Sequence, residues 1–573
     1  MISAGDAGEV PAAGQASEIR TGIGVSSGSA SGPVVQVASP VEPPENEPAA
    51  ADPTAAAEQA VAAFMQVAGS LDAKAINADA TARDVLKATA MIARDRALHR
   101  AVAKHLGAGQ GIATSIALAV DEFAAQFEAL GGYFAERVTD LRDIGSRAIA
   151  EVLGVPAPGV PSFTTPSIVV ADDLAPAETA TLDRSLVLGI VTRAGGRTSH
   201  TAILAAQMGI PAVVQVPDAT GIPNGTPVAI DGDTGEVVLH PDAEAVEEQR
   251  RLRERRAAAL AEVGGPGATS DGHGVALLAN IGGIEDAGIA GGQDLEGVGL
   301  FRTEFVFLSA ERAPTVAEQT EIYRRVFEPF GSRRVVVRTL DAGADKPLAF
   351  ADLGEEENPA LGRRGLRLSQ ALPELLDSQL EALAAAAAST GADVRVMAPM
   401  VATAAEARWF AERVRANGLQ QAGVMIEVPA AALRADRVLR EVDFGSLGTN
   451  DLAQYTMAAD RMQGELSDLL DPWQPAVLDL ISIAASGARS EGKPLGVCGE
   501  SAGDPMLALV LVGLGVTSLS MAPSRVPAVR LALAKHTRAE CEQLARIALE
   551  AETPEQARSA VRGAVAPGLT ELM

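Results

Sequence analysis

Eight short β-rich runs recur between residues 275 and 522: VALLANI, GVGLFR, VVVRTLD, VRVMAPMV, AGVMIEV, FGSLGTN, PLGVCGE and VTSLSMA. The segments between them, such as PELLDSQLEALAAAAAS and TAAEARWFAERVRANG, carry apolar residues at helical spacing. No other feature of the chain constrains its fold as strongly. Successive parallel strands need crossover connections, and eight strand–helix units close into a (β/α)8 barrel.

Such a barrel presents its chemistry at the C-terminal ends of its strands. Here those ends are rich in polar side chains. The second run leads into Arg302 and Glu304, and the third into Arg338, Asp341, Asp345 and Lys346. The fifth ends at Glu427, the sixth at Asn450 and Asp451, and the seventh at Cys498 and Glu500. A single charge at a strand end is commonly a rim salt bridge. Arginines, a lysine, acids and a cysteine converging on one rim point instead to a ligand, because burying them without one is costly. Arginine and lysine suit a phosphate or carboxylate, and Glu427 and Asp451 are hard oxygen donors for Mg²⁺. The residues therefore predict a Mg²⁺-assisted site for a small phosphorylated acid.

The N-terminal half reads differently. Residues 54–153 are alanine-rich, with helical spacing in AVAAFMQVAGSLDAKA, DVLKATAMIARDRALHRAVAKHL, GIATSIALAVDEFAAQFEAL and FAERVTDLRDIGSRAIAEVLG. Short connections make these an antiparallel helical bundle. Strands return in SIVVADDL, VLGIVT, IPAVVQV and TPVAIDGDTGEVVLHP, and GIGVSSGSASGPVVQVA at residues 22–38 can pair with them, which makes the bundle an insertion. DAEAVEEQRRLRERRAAALAEV then has no continuous apolar face, the pattern of a linker helix.

Among these strands lies AGGRTSHTAILAA, residues 194–206. A lone histidine is more often a packed core residue than a reactive one. His200, however, follows two glycines that permit close backbone approach, and it opens a helix-forming run that Thr198 or Ser199 can cap. A helix start offers unpaired N–H groups and a positive dipole end to an anion, so His200 is a candidate to carry or transfer phosphate.

Composition sets the outer limits. With 573 residues, 47% of them hydrophobic, the chain can build two to four domains. A net charge of −27 argues against nucleic-acid binding. Two cysteines, Cys498 and Cys541, argue against a disulfide scaffold or a cysteine-rich zinc site. The first residues lack a basic and then apolar leader pattern, and no uncharged apolar run reaches about 18 residues, so a cytoplasmic chain without a membrane span is expected.

From residue 22 to the C-terminus the motifs GGRTSHTAILA, GVGLFRTEFVFL, RTLDAGADKPL, NPALGRRGLR, VMIEVPAA, GTNDLAQYTMAADR and GVCGESAGDP, with ADDLAPAET and DLRDIG, closely resemble Enzyme I of the bacterial phosphotransferase system. The resemblance implies a multidomain α/β protein. It has a tail at residues 1–21, a phosphohistidine α/β domain at 22–40 and 154–240, and an inserted helical HPr-binding bundle at 41–153. A linker helix at 241–263 leads to a (β/α)8 barrel at 264–573 that binds phosphoenolpyruvate and forms a homodimer.

It further implies that His200 accepts the phosphoryl group on Nε2, and that Arg302, Arg338, Asn450, the backbone at Asp451 and Arg461 hold phosphoenolpyruvate. Glu427 and Asp451 bind Mg²⁺, Cys498 protonates the departing enolate, and the phosphocarrier HPr receives the group as the first step of sugar uptake. Arg193 departs from the pattern, standing where the family commonly has an acid. Pyruvate phosphate dikinase and phosphoenolpyruvate synthase share the histidine motif and the barrel. They need a nucleotide-binding domain where this chain has helices and no glycine-rich loop with a following lysine. A non-catalytic scaffold of this fold is expected to lose His200, Cys498 or the carboxylates, and all are present.

Overall fold

The computed structural model describes residues 17–26, 28–38, 40–77, 87, 89–130, 138–155, 158–161, 163–174, 186–196, 201–202, 205, 209–232, 234–307, 310, 312–343, 348, 350, 354, 356–461 and 463–572. They divide into two compact units, within residues 1–249 and 250–573.

In the first unit, strands β1 (Glu18–Thr21), β2 (Ile23–Ser26), β3 (Ser29–Gln36), β4 (Ser167–Ala171), β5 (Val187–Thr192), β6 (Ala212–Val214), β7 (Pro227–Asp231) and β8 (Glu236–Leu239) build one sheet. Its order is β1-β8-β7-β3-β4-β5-β6-β2. The central β3 to β6 run parallel, and β4, SIVVA, is buried along its whole length, as expected of a strand covered on both faces. β3 pairs directly with β4, Val34 opposite Ile168, so everything from residue 37 to residue 166 lies within one crossover.

That crossover contains the bundle. Helices Pro53–Asn77, Arg96–Gly107, Ile112–Leu130 and Val138–Leu153 pack around Phe64, Leu98, Val102, Leu106, Ile116, Leu141 and Ile144. The many buried alanines, among them Ala60, Ala68, Ala113 and Ala119, let the helix axes approach closely. The run DVLKATAMIARDRALHRAVAKHL breaks at Asp95, whose side chain accepts from the Ala97 N–H and caps a new helix. The third helix is capped from a distance. The Glu47 carboxylate accepts from the backbone N–H groups of Ala113 and Thr114 at 2.9 and 2.7 Å. Gly111 leaves room for it, since a Cβ there would lie 2.3 Å from Glu47 Cδ.

In the second unit, β9 (Ala276–Ile281), β10 (Gly297–Arg302), β11 (Arg334–Arg338), β12 (Asp393–Ala398), β13 (Ala422–Ile426), β14 (Phe444–Leu447), β15 (Leu495–Val497) and β16 (Ser518–Met521) close into a parallel barrel. Outward-facing Val298, Phe301, Val335, Val337, Val396, Val424, Ile426 and Leu519 join the main core with the surrounding helices. Leu300, Val336, Met397, Met425, Phe444 and Cys498 form the apolar layer inside. Its shape is complementary: a Cβ on Gly423 would lie 2.3 Å from the Phe444 ring. Side chains alternate along a strand, so the positions after Leu300, Val336 and Met425 on the inner face are Arg302, Arg338 and Glu427. The layer that fills the barrel thereby sets charge at its mouth.

Candidate active site

At that mouth the buried charges form a chain of alternating sign. Arg338 Nη2 donates to Glu304 Oε1 at 2.9 Å, and Arg338 Nη1 lies 3.2 Å from Asp341 Oδ2. Arg364 Nη2 donates to Asp341 Oδ2 at 3.0 Å, and Arg364 Nη1 donates to Asp451 Oδ1 at 3.0 Å. Arg461 Nη1 stands 3.8 Å from the same Asp451 oxygen. Burial works against a charged guanidinium at both Arg338 and Arg364. Glu304 and Asp341 around the first, and Asp341 and Asp451 around the second, outweigh it and hold both above the ordinary arginine range. Arg338 Nε is buried without a partner among the described residues, so this cation is not fully spent on its own carboxylates.

Glu427, one residue past β13, is fully buried. Its Oε1 accepts from the Met400 N–H at 2.5 Å, and Met400 is held at φ 59°, a conformation uncommon for a residue with a side chain. Its Oε2 is buried and has no partner among the described residues. Burial, then the charges of Asp451 and Asp341, push the carboxyl well above the usual carboxylate range. A cation beside Oε2 reverses that penalty. No cluster of three or more His, Cys, Asp or Glu side chains capable of holding a metal occurs among the described residues. Two carboxylates nevertheless fit Mg²⁺, which completes its shell with substrate phosphate and water.

The space beside Oε2 exists because residue 448 is glycine. A Cβ there would lie 2.5 Å from Glu427 Oε2. Gly448→Ala is therefore expected to raise the divalent-metal requirement at least tenfold with a folded barrel. Activity titrated against Mg²⁺, with circular dichroism as the fold control, checks this.

Cys498 follows β15 directly and is only 2% exposed, at the top of the inner apolar layer. Its Sγ lies 3.6 Å from the Leu447 carbonyl. Burial pushes the thiol up to about 11, against a lowering hydrogen bond from Ser446, so it holds its proton at neutral pH. Asn280 Nδ2 donates to the Cys498 carbonyl at 3.0 Å, and Asn280 Oδ1 accepts from Ser520 Oγ at 2.6 Å. Arg302 is exposed at the end of β10, in register with Arg338.

Asn450 and Asp451 lie not on a strand end, as read from sequence, but in the first turn of helix Thr449–Met457. β14 stops at Leu447, and Thr449 is tied to Ser501 at 2.8 Å. Asn450 is exposed and its Oδ1 accepts from the Glu500 N–H at 3.4 Å. The structure thus brings Arg338, Glu427, Asp451, Arg461 and Cys498 to one mouth, with Arg302 and Asn450 on its exposed edge.

His200, Asp345 and Lys346 lie outside the described residues. The chain on either side of His200 is described and pinned. Thr192 Oγ1 donates to the Ala194 carbonyl at 2.7 Å, and Gln215 Nε2 donates to the Gly195 carbonyl at 2.9 Å. Gly195 sits at φ 96°, where a side chain would be strained. Beyond the histidine, Thr201 is buried and its Oγ1 donates to Asp173 Oδ1 at 3.1 Å. Arg193 pairs with Asp172 at the end of β4.

Arg364 was not legible as a site residue. In NPALGRRGLR it is one of two adjacent arginines, and only the fold shows that Arg363 turns outward to Glu356 while Arg364 bridges Asp341 and Asp451. Glu304 was placed on the rim, but its double role was not visible. Its Oε1 accepts from both Arg338 and the Asp341 N–H.

The sequence matches three families in chain order: "PEP-utilising enzyme, N-terminal" over residues 21–137, "PEP-utilising enzyme, mobile domain" over 163–235, and "PEP-utilising enzyme, PEP-binding domain" over 257–538. The barrel with its charged mouth thus falls in the part of a PEP-utilising enzyme that binds the substrate. Relatives narrow the class. A Streptomyces coelicolor phosphoenolpyruvate-protein phosphotransferase is 51% identical over 94% of this chain and 98% of its own length. Proteins of the same name from Haloferax volcanii and Bacillus subtilis are 44% and 40% identical over 75% and 76% of this chain, and 78% and 79% of their own. The chain belongs to the phosphoenolpyruvate-protein phosphotransferase family of enzymes.

Proposed function

We propose that the protein takes the phosphoryl group of phosphoenolpyruvate onto Nε2 of His200, releases pyruvate, and passes the group to HPr as the first step of phosphotransferase sugar uptake. The observation that carries this reading is the barrel mouth. There a buried chain of arginines and carboxylates shares the mouth with a Glu427 oxygen that has no partner among the described residues and with a thiol that keeps its proton.

Arg302, Arg338 and Arg461 neutralise the phosphate and carboxylate of the substrate, and Asn450 with the backbone at Asp451 orients it at a helix start. Glu427 and Asp451 would hold Mg²⁺. When bound, Mg²⁺ supplies charge neutralisation on the transferred phosphoryl oxygens. Arg364, 3.0 Å from Asp451 Oδ1, aims that carboxylate. The His200 imidazole, in its neutral form, attacks phosphorus; the P–O bond to the enol oxygen breaks, and the enolate takes a proton at its methylene carbon from Cys498 Sγ.

In this reading residues 22–40 and 154–240 carry the phosphohistidine, 41–153 dock HPr, and 264–573 bind the substrate and dimerise. Exposed Phe305, Leu361 and Leu433 offer apolar surface for a second copy. Catalysis by a free thiol suits the reducing cytoplasm. Among the described residues no helix is long and apolar enough to cross a membrane.

Incubation with radiolabelled phosphoenolpyruvate and Mg²⁺ tests the reading: label is expected on the protein as acid-labile phosphate and then on added HPr. No transfer to either overturns it. Glu427→Gln and Asp451→Asn are each expected to raise the Mg²⁺ concentration for half-maximal pyruvate release by about tenfold or more, since losing even an outer-shell partner costs about that much. Unchanged Mg²⁺ dependence in both variants removes them as ligands.

A further inference from the structure

Behind the mouth, on the barrel's helical side, one buried amide joins the two segments that present the arginines. Gln379 belongs to helix Pro373–Thr390, whose other buried residues are Leu376, Leu380, Ala382, Leu383 and Ala386. Leucine would pack there, yet the residue is glutamine and is buried. Its Oε1 accepts from the Leu340 N–H at 3.1 Å, just past β11. Its Nε2 donates to Thr303 Oγ1 at 3.0 Å, just past β10, and to Tyr323 Oη at 3.1 Å.

The directions of these bonds are fixed. Thr303 Oγ1 donates to the Arg338 carbonyl at 2.8 Å, so it must accept from Gln379. Tyr323 Oη donates to Gln319 Oε1 at 3.2 Å, and Gln319 Nε2 donates to the Pro314 carbonyl at 2.9 Å, so Tyr323 must also accept. Leu340 offers only an N–H, so Oε1 must face it. Both amide hydrogens and the amide oxygen are used, in the one orientation the neighbours allow. Glutamate, of the same size, has no hydrogens to give. Thr303 or Tyr323 would have to turn its hydroxyl, and turning Thr303 leaves the Arg338 carbonyl without its donor.

We propose that Gln379 is a positioning residue for substrate binding: acting through Thr303 and the Leu340 N–H, it sets the spacing of the β10 and β11 ends and so of Arg302 and Arg338. The inference rests on the reading of the mouth as the phosphoenolpyruvate site. Gln379 touches no reacting atom. Its effect therefore falls on substrate affinity more than on the thiol or the histidine.

The test measures pyruvate release with HPr in excess and thermal midpoints, on the full chain. Gln379→Glu and Thr303→Val are each expected to raise KM for phosphoenolpyruvate about tenfold, the scale of one lost buried hydrogen bond, with kcat changed less than about threefold. Gln319→Leu removes the far end of the same network, and is expected to lower the thermal midpoint with KM within about twofold of wild type. Unchanged KM in both Gln379→Glu and Thr303→Val, or an equal rise in Gln319→Leu, overturns the positioning role and leaves the network as packing. A wild-type protein that releases no pyruvate from phosphoenolpyruvate overturns the reading beneath it as well.

Discussion

His200→Ala is expected to form no acid-labile phosphoprotein from phosphoenolpyruvate, while its affinity for phosphoenolpyruvate stays within tenfold of wild type, the equivalent of about 1.4 kcal/mol. The two halves of this expectation follow from where the residues lie in the chain. The proposed nucleophile is in the first unit, between β5 and the described helical residues Thr201 and Ala202, and the anion-binding side chains are in the second. Alanine removes the imidazole and leaves Arg338, Glu427, Asp451 and Arg461 as they are. It also leaves the flanking contacts of Gly195 and Thr201, which are made by a backbone carbonyl and a neighbouring hydroxyl. Labelling followed by acid lability, with calorimetric titration of phosphoenolpyruvate on the same sample, reads both. Wild-type label on the variant moves the carrier to another residue. Lost affinity with no label shows that His200 contributes to binding the substrate itself.

Much of the barrel was legible because its signal is local and repeated. The eight runs read from sequence are the eight strands β9 to β16, and the alternation that fills the interior with Leu300, Val336 and Met425 also aims Arg302, Arg338 and Glu427 at the mouth. Strand ends were less certain. Gly448 ends β14 before Asn450 and Asp451, so these residues gain the amide groups of a helix start rather than the edge of a strand. In the bundle the periodic run through residue 95 fits either one helix or a hairpin of helices, and the Asp95 side chain, by capping the next helix, decides for the break.

The exact partners in long-range pairing could not be read from any window. The sequence lets residues 22–38 pair with the later strands across an inserted bundle, but nothing in their hydrophobicity says that β3 lies beside β4 in particular. Arg364 differs from Arg363 in sequence only by one position, and from it in the fold by complete burial between two carboxylates. Gln379 is harder still. In PELLDSQLEALAAAAAS a glutamine among leucines reads as the polar face of an amphipathic helix, whereas this helix is covered on that face and its amide is the link between two strand ends. Polar residues buried by the fold are the ones that periodicity assigns to solvent.

Cys498→Ala is expected to slow pyruvate release by about a hundredfold to ten-thousandfold, the usual cost of losing a general acid, with phosphoenolpyruvate affinity within tenfold of wild type. The thiol sits where apolar packing and proton donation are both possible, among Leu300, Val336, Met397, Met425 and Phe444 on one side and the charged mouth on the other. Packing alone predicts a modest loss of stability and near-normal turnover on shortening to alanine. Donation predicts a stable, binding-competent and slow variant. The pH dependence separates them further. Burial holds the thiol up to about 11, so its protonated form persists across neutral and mildly alkaline pH. The wild-type rate should therefore show no fall from thiol ionisation below about pH 10. Because burial holds the folded thiol above its ordinary value of 9.0, its contribution to stability is complete below about pH 9 and is lost as pH rises towards 11. Alanine has no such group, so the wild-type protein should lose stability relative to Cys498→Ala between those limits. Near-normal pyruvate release from a folded Cys498→Ala assigns the cysteine to packing and leaves the proton to another donor at the mouth.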